Sequence, residues 1–147
     1  MLGNLLDTIT ENWGWTGLNP VSIKATNEFC NVIVEDVHGE IWRIVPEDLS
    51  CERIANNASQ FAALMEDPDF RQDWEMANLV ALSRERWGVP SAGQGFQLVI
   101  PSVLGGAYVA ENVCISRADQ ILSLAGEIAQ QVKALPDGMK VNLKVTD

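Results

Sequence analysis

Residues 27–50, NEFCNVIVEDVHGEIWRIVPEDLS, contain the pattern that decides the fold of this chain. Apolar residues alternate as far as Val34, the turn-forming segment Asp36-Val37-His38-Gly39 follows, and a second apolar run begins at Ile41. Glycine accepts the positive φ that closes a tight turn, and an aspartate carboxylate can accept hydrogen bonds from the backbone of the turn that follows it. The stretch therefore predicts a β-hairpin with strands over residues 31–35 and 40–45.

Further strands and helices are predicted on both sides of the hairpin. Strand-like runs at residues 21–25 and 50–54 extend it to an antiparallel meander, because the connections are short. The spacing of apolar residues predicts helices over residues 2–13 and 58–65. At 67–69, Asp-Pro-Asp combines an N-cap, a proline at the first helical position and an acid at the positive helix end. A longer helix is therefore expected from there to about Trp87.

The last third of the chain predicts a second strand-rich zone. Strands are expected over residues 96–100 and 107–109, then a helix over 117–135 and a final strand over 140–145. Two strand-rich zones bracket a helical centre, with no regular alternation of strand and helix. This order predicts the α+β class: one domain over residues 1–147, with a largely antiparallel sheet packed with about three to four helices.

Composition limits the classes of partner. The 147 residues include 20 acidic and 10 basic ones, giving a formal net charge of −10. Such a surface repels phosphate backbones, so we expect no nucleic-acid binding, and it attracts a basic partner. Alternatively, the negative charge serves only to keep the protein soluble. Neither a signal peptide nor an apolar run of membrane-spanning length is present in the sequence, so a cytosolic protein without membrane contact is expected.

Motifs for catalysis, cofactors and metals are incomplete. His38 is the single histidine and falls in the hairpin turn, and the three cysteines form no C-x-x-C pair, so free thiols and no metal site are expected. The glycine pairs at 93–95 and 105–106 complete no phosphate-binding motif. We therefore expect no catalytic residues and no cofactor. Neighbouring carboxylates such as Glu47 and Asp48 leave a small carboxylate-dependent enzyme as an alternative.

A series of short patterns runs along most of the chain. They are Gly14-Trp15-x-Gly17, Asn27-x-Phe29-x-Asn31 with Val34, Asp36 and Gly39, Trp42-Arg43-x-x-Pro46-Glu47-x-Leu49-x-Cys51, Asp73-Trp74, Gly95-Phe96 with Pro101, Leu104-Gly105-Gly106-x-Tyr108, Asn112 and Leu135-Pro136-Asp137-Gly138. Together these patterns resemble the type VI secretion immunity protein family, specifically its C-terminal domain. Cys30 is a departure, because a glycine is expected between Phe29 and Asn31.

The resemblance implies a non-enzymatic cytosolic antidote. Such a protein binds a cognate effector toxin, a nuclease or a nucleotide-targeting enzyme, and occludes its active site in a 1:1 heterodimer. The composition agrees with this function, because a toxin that handles phosphates presents basic residues to an acidic inhibitor. An adaptor module unrelated to a toxin is a further alternative.

The candidate effector-binding residues are acidic and cluster in the sequence. We predict an electrostatic face around the hairpin and its exit, with a tryptophan as a hydrophobic anchor. Its members are Trp15, Glu35, Asp36, Glu40, Glu47 and Asp48. A solvated sheet edge is the alternative for the carboxylates, and a place in the core is the alternative for the tryptophan.

Overall fold

A four-stranded antiparallel sheet built around the predicted hairpin forms the centre of the fold. The computed structural model describes residues 2–133. The strands lie in sequence order: β1 (Pro20–Thr26), β2 (Val32–Asp36), β3 (Ile41–Val45) and β4 (Ser50–Ala55). In the hairpin, Val32 lies opposite Ile44 and Glu35 opposite Ile41. The predicted meander is confirmed.

Five α-helices within residues 2–133 complete the α+β class, which is confirmed. They are α1 (Leu2–Trp13), α2 (Ala58–Glu66), α3 (Pro68–Glu75), α4 (Ala77–Trp87) and α5 (Ala118–Lys133). Asp67 caps α3 as expected, since its side chain accepts a hydrogen bond from the Asp69 amide. No helix in this part of the chain is long and apolar enough to cross a membrane.

The helix predicted from Asp67 to Trp87 is divided at Met76, so that prediction was wrong in its length. Met76 adopts a left-handed conformation with φ of 49°. The Asn27 side-chain amide donates to the Trp74 carbonyl over 2.8 Å, a carbonyl that a continuous helix would bond within itself. A distant side chain thus ends α3, and α4 leaves in a new direction.

A second, two-stranded sheet pairs β5 (Gln94–Leu98) with β6 (Val113–Arg117) in antiparallel order. The sequence predicted β5 two residues late and missed β6. It was wrong in placing a strand at 107–109, where the chain forms a bend before a short 3-10 turn at Ala110–Asn112. The strand predicted at 140–145 and the motif at 135–138 lie outside the described residues.

Alternating residues of β2 divide the core between the two faces of the main sheet. Val32 and Val34 pack with Trp13 of α1 and Leu122 of α5, whereas Ile33 packs with Trp74 on the opposite face. This division follows from the period of two in a strand. A third cluster joins the small sheet to α4; it contains Phe29, Leu79, Phe96, Leu98 and Val113. The first two clusters therefore pack the hairpin on both faces of the main sheet.

Candidate functional site

A polar cleft of about 420 Å³ opens where the end of β3 meets the junction between α3 and α4. Strand β3 supplies Arg43, and the 3-10 turn Pro46–Asp48 that follows it supplies two carboxylates. The polar side chains lining the cleft are Arg43, Glu47, Asp48, Gln72, Asp73, Asn78 and Tyr108. Elements from three parts of the chain thus bring acidic groups around one depression.

Arg43 is fixed in place on the wall of the polar cleft. Its Nε and Nη2 atoms donate to Asn31 Oδ1 over 3.2 and 2.8 Å, and its Nη1 atom donates to Asp73 Oδ2 over 2.6 Å. The guanidinium carbon also lies 5.8 and 5.2 Å from the ring centroids of Phe70 and Trp74. Because Arg43 already has a carboxylate partner, it offsets only part of the negative charge of the cleft.

Glu47 is a buried carboxyl at the base of the polar cleft. Its side chain accepts a hydrogen bond of 2.8 Å from Asn31 Nδ2, so Asn31 connects Glu47 with Arg43. Burial raises the pKa of Glu47 to about 7, although its hydrogen bonds to the backbone and to Asn31 act in the opposite direction. Near neutral pH this group is therefore divided between its neutral and charged forms.

Cys30 lies beside Glu47 in the conformation that the expected glycine would favour. Its φ is 56°, in the left-handed region, so the departure from the resemblance keeps the backbone that glycine usually provides. Burial, and then the charge of Glu47, raises the pKa of the Cys30 thiol to about 12. Cys30, Cys51 and Cys114 are all free thiols. A protonated, buried thiol is a packing group rather than a nucleophile.

Asp48 ties the rim of the polar cleft to the loop of residues 99–112. It accepts hydrogen bonds from the Ser102 hydroxyl and from the Tyr108 hydroxyl. Burial, together with the bond to Asp48, raises the pKa of Tyr108, so this phenol remains a donor at physiological pH. One carboxylate therefore anchors two points of the loop.

The side chain of Asn112 organises the 99–112 loop from within. Its Nδ2 atom donates to the carbonyls of Ile100 and Ala107 over 2.9 and 3.0 Å, and its Oδ1 atom accepts from the Ile100 amide over 3.0 Å. A Cβ atom at Gly106 would lie 1.7 Å from the Ile100 carbonyl oxygen, so only glycine fits there. Trp87 Nε1 donates to the Ala110 carbonyl over 2.8 Å and joins the loop to α4.

This loop carries five exposed large apolar side chains, together named the apolar ridge here. Its members are Val99, Ile100, Val103, Tyr108 and Val109. The sequence did not identify these residues as a surface, because apolar residues in or beside a predicted strand usually belong to the hydrophobic core. The only signal was the accumulation of glycine and proline among them, which is typical of an irregular surface segment.

The hairpin end, residues 35–40, holds three of the predicted site residues. Asp36 is buried, and its carboxylate accepts hydrogen bonds of 2.9 Å from the amides of His38 and Glu40 and from Trp42 Nε1. Burial raises the pKa of Asp36, but these hydrogen bonds outweigh it and hold the pKa below its usual value. Glu35 pairs with Lys24 over 3.5 Å, and Glu40 pairs with Arg53.

The six predicted site residues therefore lie in three places. Glu47 and Asp48 belong to the polar cleft, and the five residues of β3 separate them from the hairpin end by about 17 Å at roughly 3.3 Å per residue. Trp15 lies elsewhere. Its Nε1 atom donates to the Asn12 carbonyl over 2.8 Å, its ring stacks on Trp13 at 6.3 Å, and Lys133 Nζ is 5.1 Å from its ring centroid.

Among residues 2–133, no group of three or more His, Cys, Asp or Glu side chains could hold a metal ion. The exposed His38 contributes its backbone amide to the hairpin turn. The site thus consists of a polar cleft beside an ordered, exposed apolar loop. Together with the acidic surface, this arrangement is typical of a domain that binds another protein.

The comparison with protein families identifies the family. A family model described as "T6SS immunity protein Tdi1, C-terminal" matches residues 55–129, and the chain belongs to this family of type VI secretion immunity proteins. The resemblance drawn from the sequence patterns is thereby confirmed.

One solved structure supports the fold. "Crystal structure of Atu4351 from Agrobacterium tumefaciens" superposes with a TM-score of 0.57 at 12% sequence identity, over 85% of this chain and 63% of that one. The present chain thus spans less than two thirds of the length of that protein. At this identity the likeness concerns the fold alone. No curated protein matches the chain.

Proposed function

We propose that this protein binds a cognate type VI secretion effector toxin in the cytoplasm and neutralises it by occluding its active site in a 1:1 complex. The observation that carries the proposal is the family match over residues 55–129. An inhibitor needs a rigid, complementary surface and no catalytic group of its own. The ordered 99–112 loop beside the polar cleft supplies such a surface.

The proposed effector is a nuclease or a nucleotide-targeting enzyme. Enzymes that handle phosphates place basic side chains around their active sites. A chain with a formal net charge of −10 is attracted to that surface over distances of about a Debye length, roughly 8–10 Å at physiological salt. The charge thus favours both rapid encounter and an orientation in which the acidic surface faces the active site.

The predicted acidic residues have different roles in this proposal. Glu35, Glu40 and Asp48 are only partly buried, so their charges contribute to the potential that steers a basic partner. Asp36 and Glu47 are buried, so we expect them to act on the shape of the turn and of the cleft. Trp15 remains a proposed anchor at a separate corner of the molecule.

Titration of the toxin with this protein tests the proposal. The toxin domain encoded by the adjacent reading frame is expressed alone and together with this chain, and its activity is then measured against increasing amounts of the purified protein. We expect protection of the coexpressing cells and complete inhibition at one equivalent. Lack of a stable complex with a toxin that remains active would refute the proposal.

A carboxylate-dependent enzyme is the second candidate, because Glu47 has a pKa of about 7 beside a cleft of about 420 Å³. Such a value suits a general acid or base. The same titration separates the two functions. An enzyme that reverses the damage protects at far less than one equivalent, and Glu47→Gln abolishes that protection.

A further inference from the structure

Half of the strongly exposed large apolar side chains in the described structure lie in the 99–112 loop. Of the ten large apolar side chains that are strongly exposed in residues 5–133, five form the apolar ridge, with exposed fractions between 43% and 59%. Leu82, Trp87 and Val89 lie on the adjoining helix α4 and just beyond it. Single exposed apolar residues are ordinary, but a cluster of this kind marks a surface that another molecule covers.

The apolar ridge is held in one conformation before any partner arrives. Asn112 bonds to both branches of the loop, and the Gly106 amide donates to the Pro101 carbonyl over 3.0 Å. Two side chains outside the loop, Trp87 and Asp48, attach it to α4 and to the turn after β3. A preordered surface loses little conformational entropy on binding, and this favours its use as a docking face.

The ridge continues into the polar cleft through Tyr108. Tyr108 belongs to both surfaces: its hydroxyl donates a hydrogen bond to Asp48 on the cleft rim, and the residue is 44% exposed. Three carboxyl groups, Glu47, Asp48 and Asp73, line the cleft together with a single guanidinium, that of Arg43, which is already paired with Asp73. An apolar row that ends at an acidic depression is complementary to a protein surface with apolar residues beside a lysine or arginine.

We propose that the apolar ridge is the main docking surface for the effector, and that a basic side chain of the effector enters the polar cleft beside Asp48. This inference rests on the proposed function and assigns its surface. The ridge supplies the contacts that slow dissociation, Tyr108 is the central contact, and the cleft supplies charge recognition. The hairpin end, about 17 Å away along β3, contributes only to the long-range potential.

A pair of matched double variants tests this assignment. Ile100→Ser/Val103→Ser removes apolar surface from the ridge, and Val21→Ser/Val37→Ser removes residues of similar exposure, 49% and 50%, from β1 and the hairpin end. The probe is the toxin domain that wild-type protein neutralises. We expect the dissociation constant to rise about 100-fold for the ridge variant and less than about threefold for the control.

A second experiment uses the wild-type protein, so that loss of binding through unfolding of a variant cannot explain its result. Amide hydrogen exchange of the free protein and of the complex is expected to show slower exchange over residues 99–112 on binding, and no change over residues 35–40. A single variant, Asp48→Asn, should weaken binding about tenfold and reduce its dependence on salt, because it removes one charge from the cleft rim.

The outcomes distinguish the surface from the function. Wild-type-like affinity of the ridge variant, or protection confined to residues 35–40, overturns the assignment while neutralisation by wild-type protein stands. A free protein that dimerises through the ridge, with the ridge variant monomeric, assigns the surface to a second copy and also overturns it. Failure of the wild-type chain to bind and neutralise the toxin removes the proposed function, and this assignment with it.

Discussion

The hairpin end and the 99–112 loop are both turns held by one side chain, yet they expose opposite kinds of surface. In the hairpin end, the buried Asp36 carboxylate receives two backbone amides and an indole, and the acidic neighbours have basic partners. In the loop, Asn112 accepts one backbone hydrogen bond and donates two, and the apolar side chains remain about half exposed.

The difference shows that a charged residue in the sequence is not always free to contact a partner in the folded structure. The carboxylates of the hairpin end are used within the fold, whereas the valines and isoleucine of the loop keep about half of their surface exposed. Polar groups that already have hydrogen-bond or ion-pair partners within the fold contribute little binding free energy, because each contact with another protein replaces an existing one. We therefore expect the two regions to respond differently to equivalent substitutions.

The largest difference is expected for a glycine in each turn. Gly106→Ala places a Cβ atom 1.7 Å from the Ile100 carbonyl oxygen, so the loop backbone must move, at a cost of about 2–4 kcal/mol in unfolding free energy. Gly39→Ala meets no neighbouring atom within 4 Å and has only the strain of φ at 79°, about 1–2 kcal/mol. Urea unfolding of both variants measures the two costs.

The same two glycine variants should also differ in their affinity for the effector. Gly106→Ala should also abolish tight binding of the effector, because it distorts the apolar ridge, whereas Gly39→Ala should bind like wild-type protein. Effector affinities of the two variants, measured below their unfolding temperatures, check this point. Equal loss of affinity in both would mean that the hairpin end contacts the effector.

The next effect concerns the two organising side chains. Asp36→Ala leaves two amides and the Trp42 indole without their acceptor, and we expect a loss of about 2–4 kcal/mol of stability with little change in effector affinity. Asn112→Ala should cost about 1–3 kcal/mol and weaken binding at least tenfold, because the loop loses its internal bonds. Chemical unfolding and calorimetric titration give both quantities, and Asp36→Asn and Asn112→Asp are the matched controls.

The hairpin end and the polar cleft should also respond oppositely to pH. The pKa of Asp36 is lowered, so its contribution to stability is present above its unfolded pKa and is lost as the pH falls through its folded pKa. The pKa of Glu47 is raised from 4.5 to about 7, so stability is lost as the pH rises through that interval, while the unfolded carboxyl ionises first.

Paired unfolding curves isolate each group. Relative to Glu47→Gln, the wild-type unfolding free energy should decrease between pH about 4.5 and 7 by up to roughly 3 kcal/mol. Relative to Asp36→Asn, it should decrease only in more acidic solution. A flat difference between wild type and Glu47→Gln across that interval would show that Glu47 is ionised in the folded protein as readily as in the unfolded chain.

The hairpin was predictable because its determinants are local. Turn chemistry at Asp36 and Gly39 fixes the register, and a fixed register places residues 31, 33, 43 and 45 on one face. The closeness of Asn31 and Arg43 therefore follows from the sequence once the turn is recognised. The N-cap at Asp67 was predictable for the same reason, since proline and the second acid follow at once.

The features that were missed depend on distant partners. The break at Met76 requires the Asn27 side chain, which lies 47 residues before the Trp74 carbonyl that it captures. The polar cleft joins turns separated by 60 residues, Asp48 and Tyr108, and no local pattern records that meeting. Ile100 and Val103 were equally ambiguous, because apolar side chains appear the same in the sequence whether the fold covers them or not.

The smallest effect is expected for the partly buried acids Glu35 and Glu40 of the hairpin end. Glu35→Gln/Glu40→Gln removes two ion pairs that lie partly in solvent, so the unfolding free energy should change by less than about 1 kcal/mol. The loss of two charges should slow association with the effector about two- to threefold at low salt and leave the dissociation rate unchanged. Stopped-flow association at two ionic strengths, with Asp48→Asn for comparison, distinguishes the two regions. Long-range steering acts before contact and cannot alter the lifetime of a formed complex. A faster dissociation rate in the hairpin variant alone would therefore place the contact surface at the hairpin end.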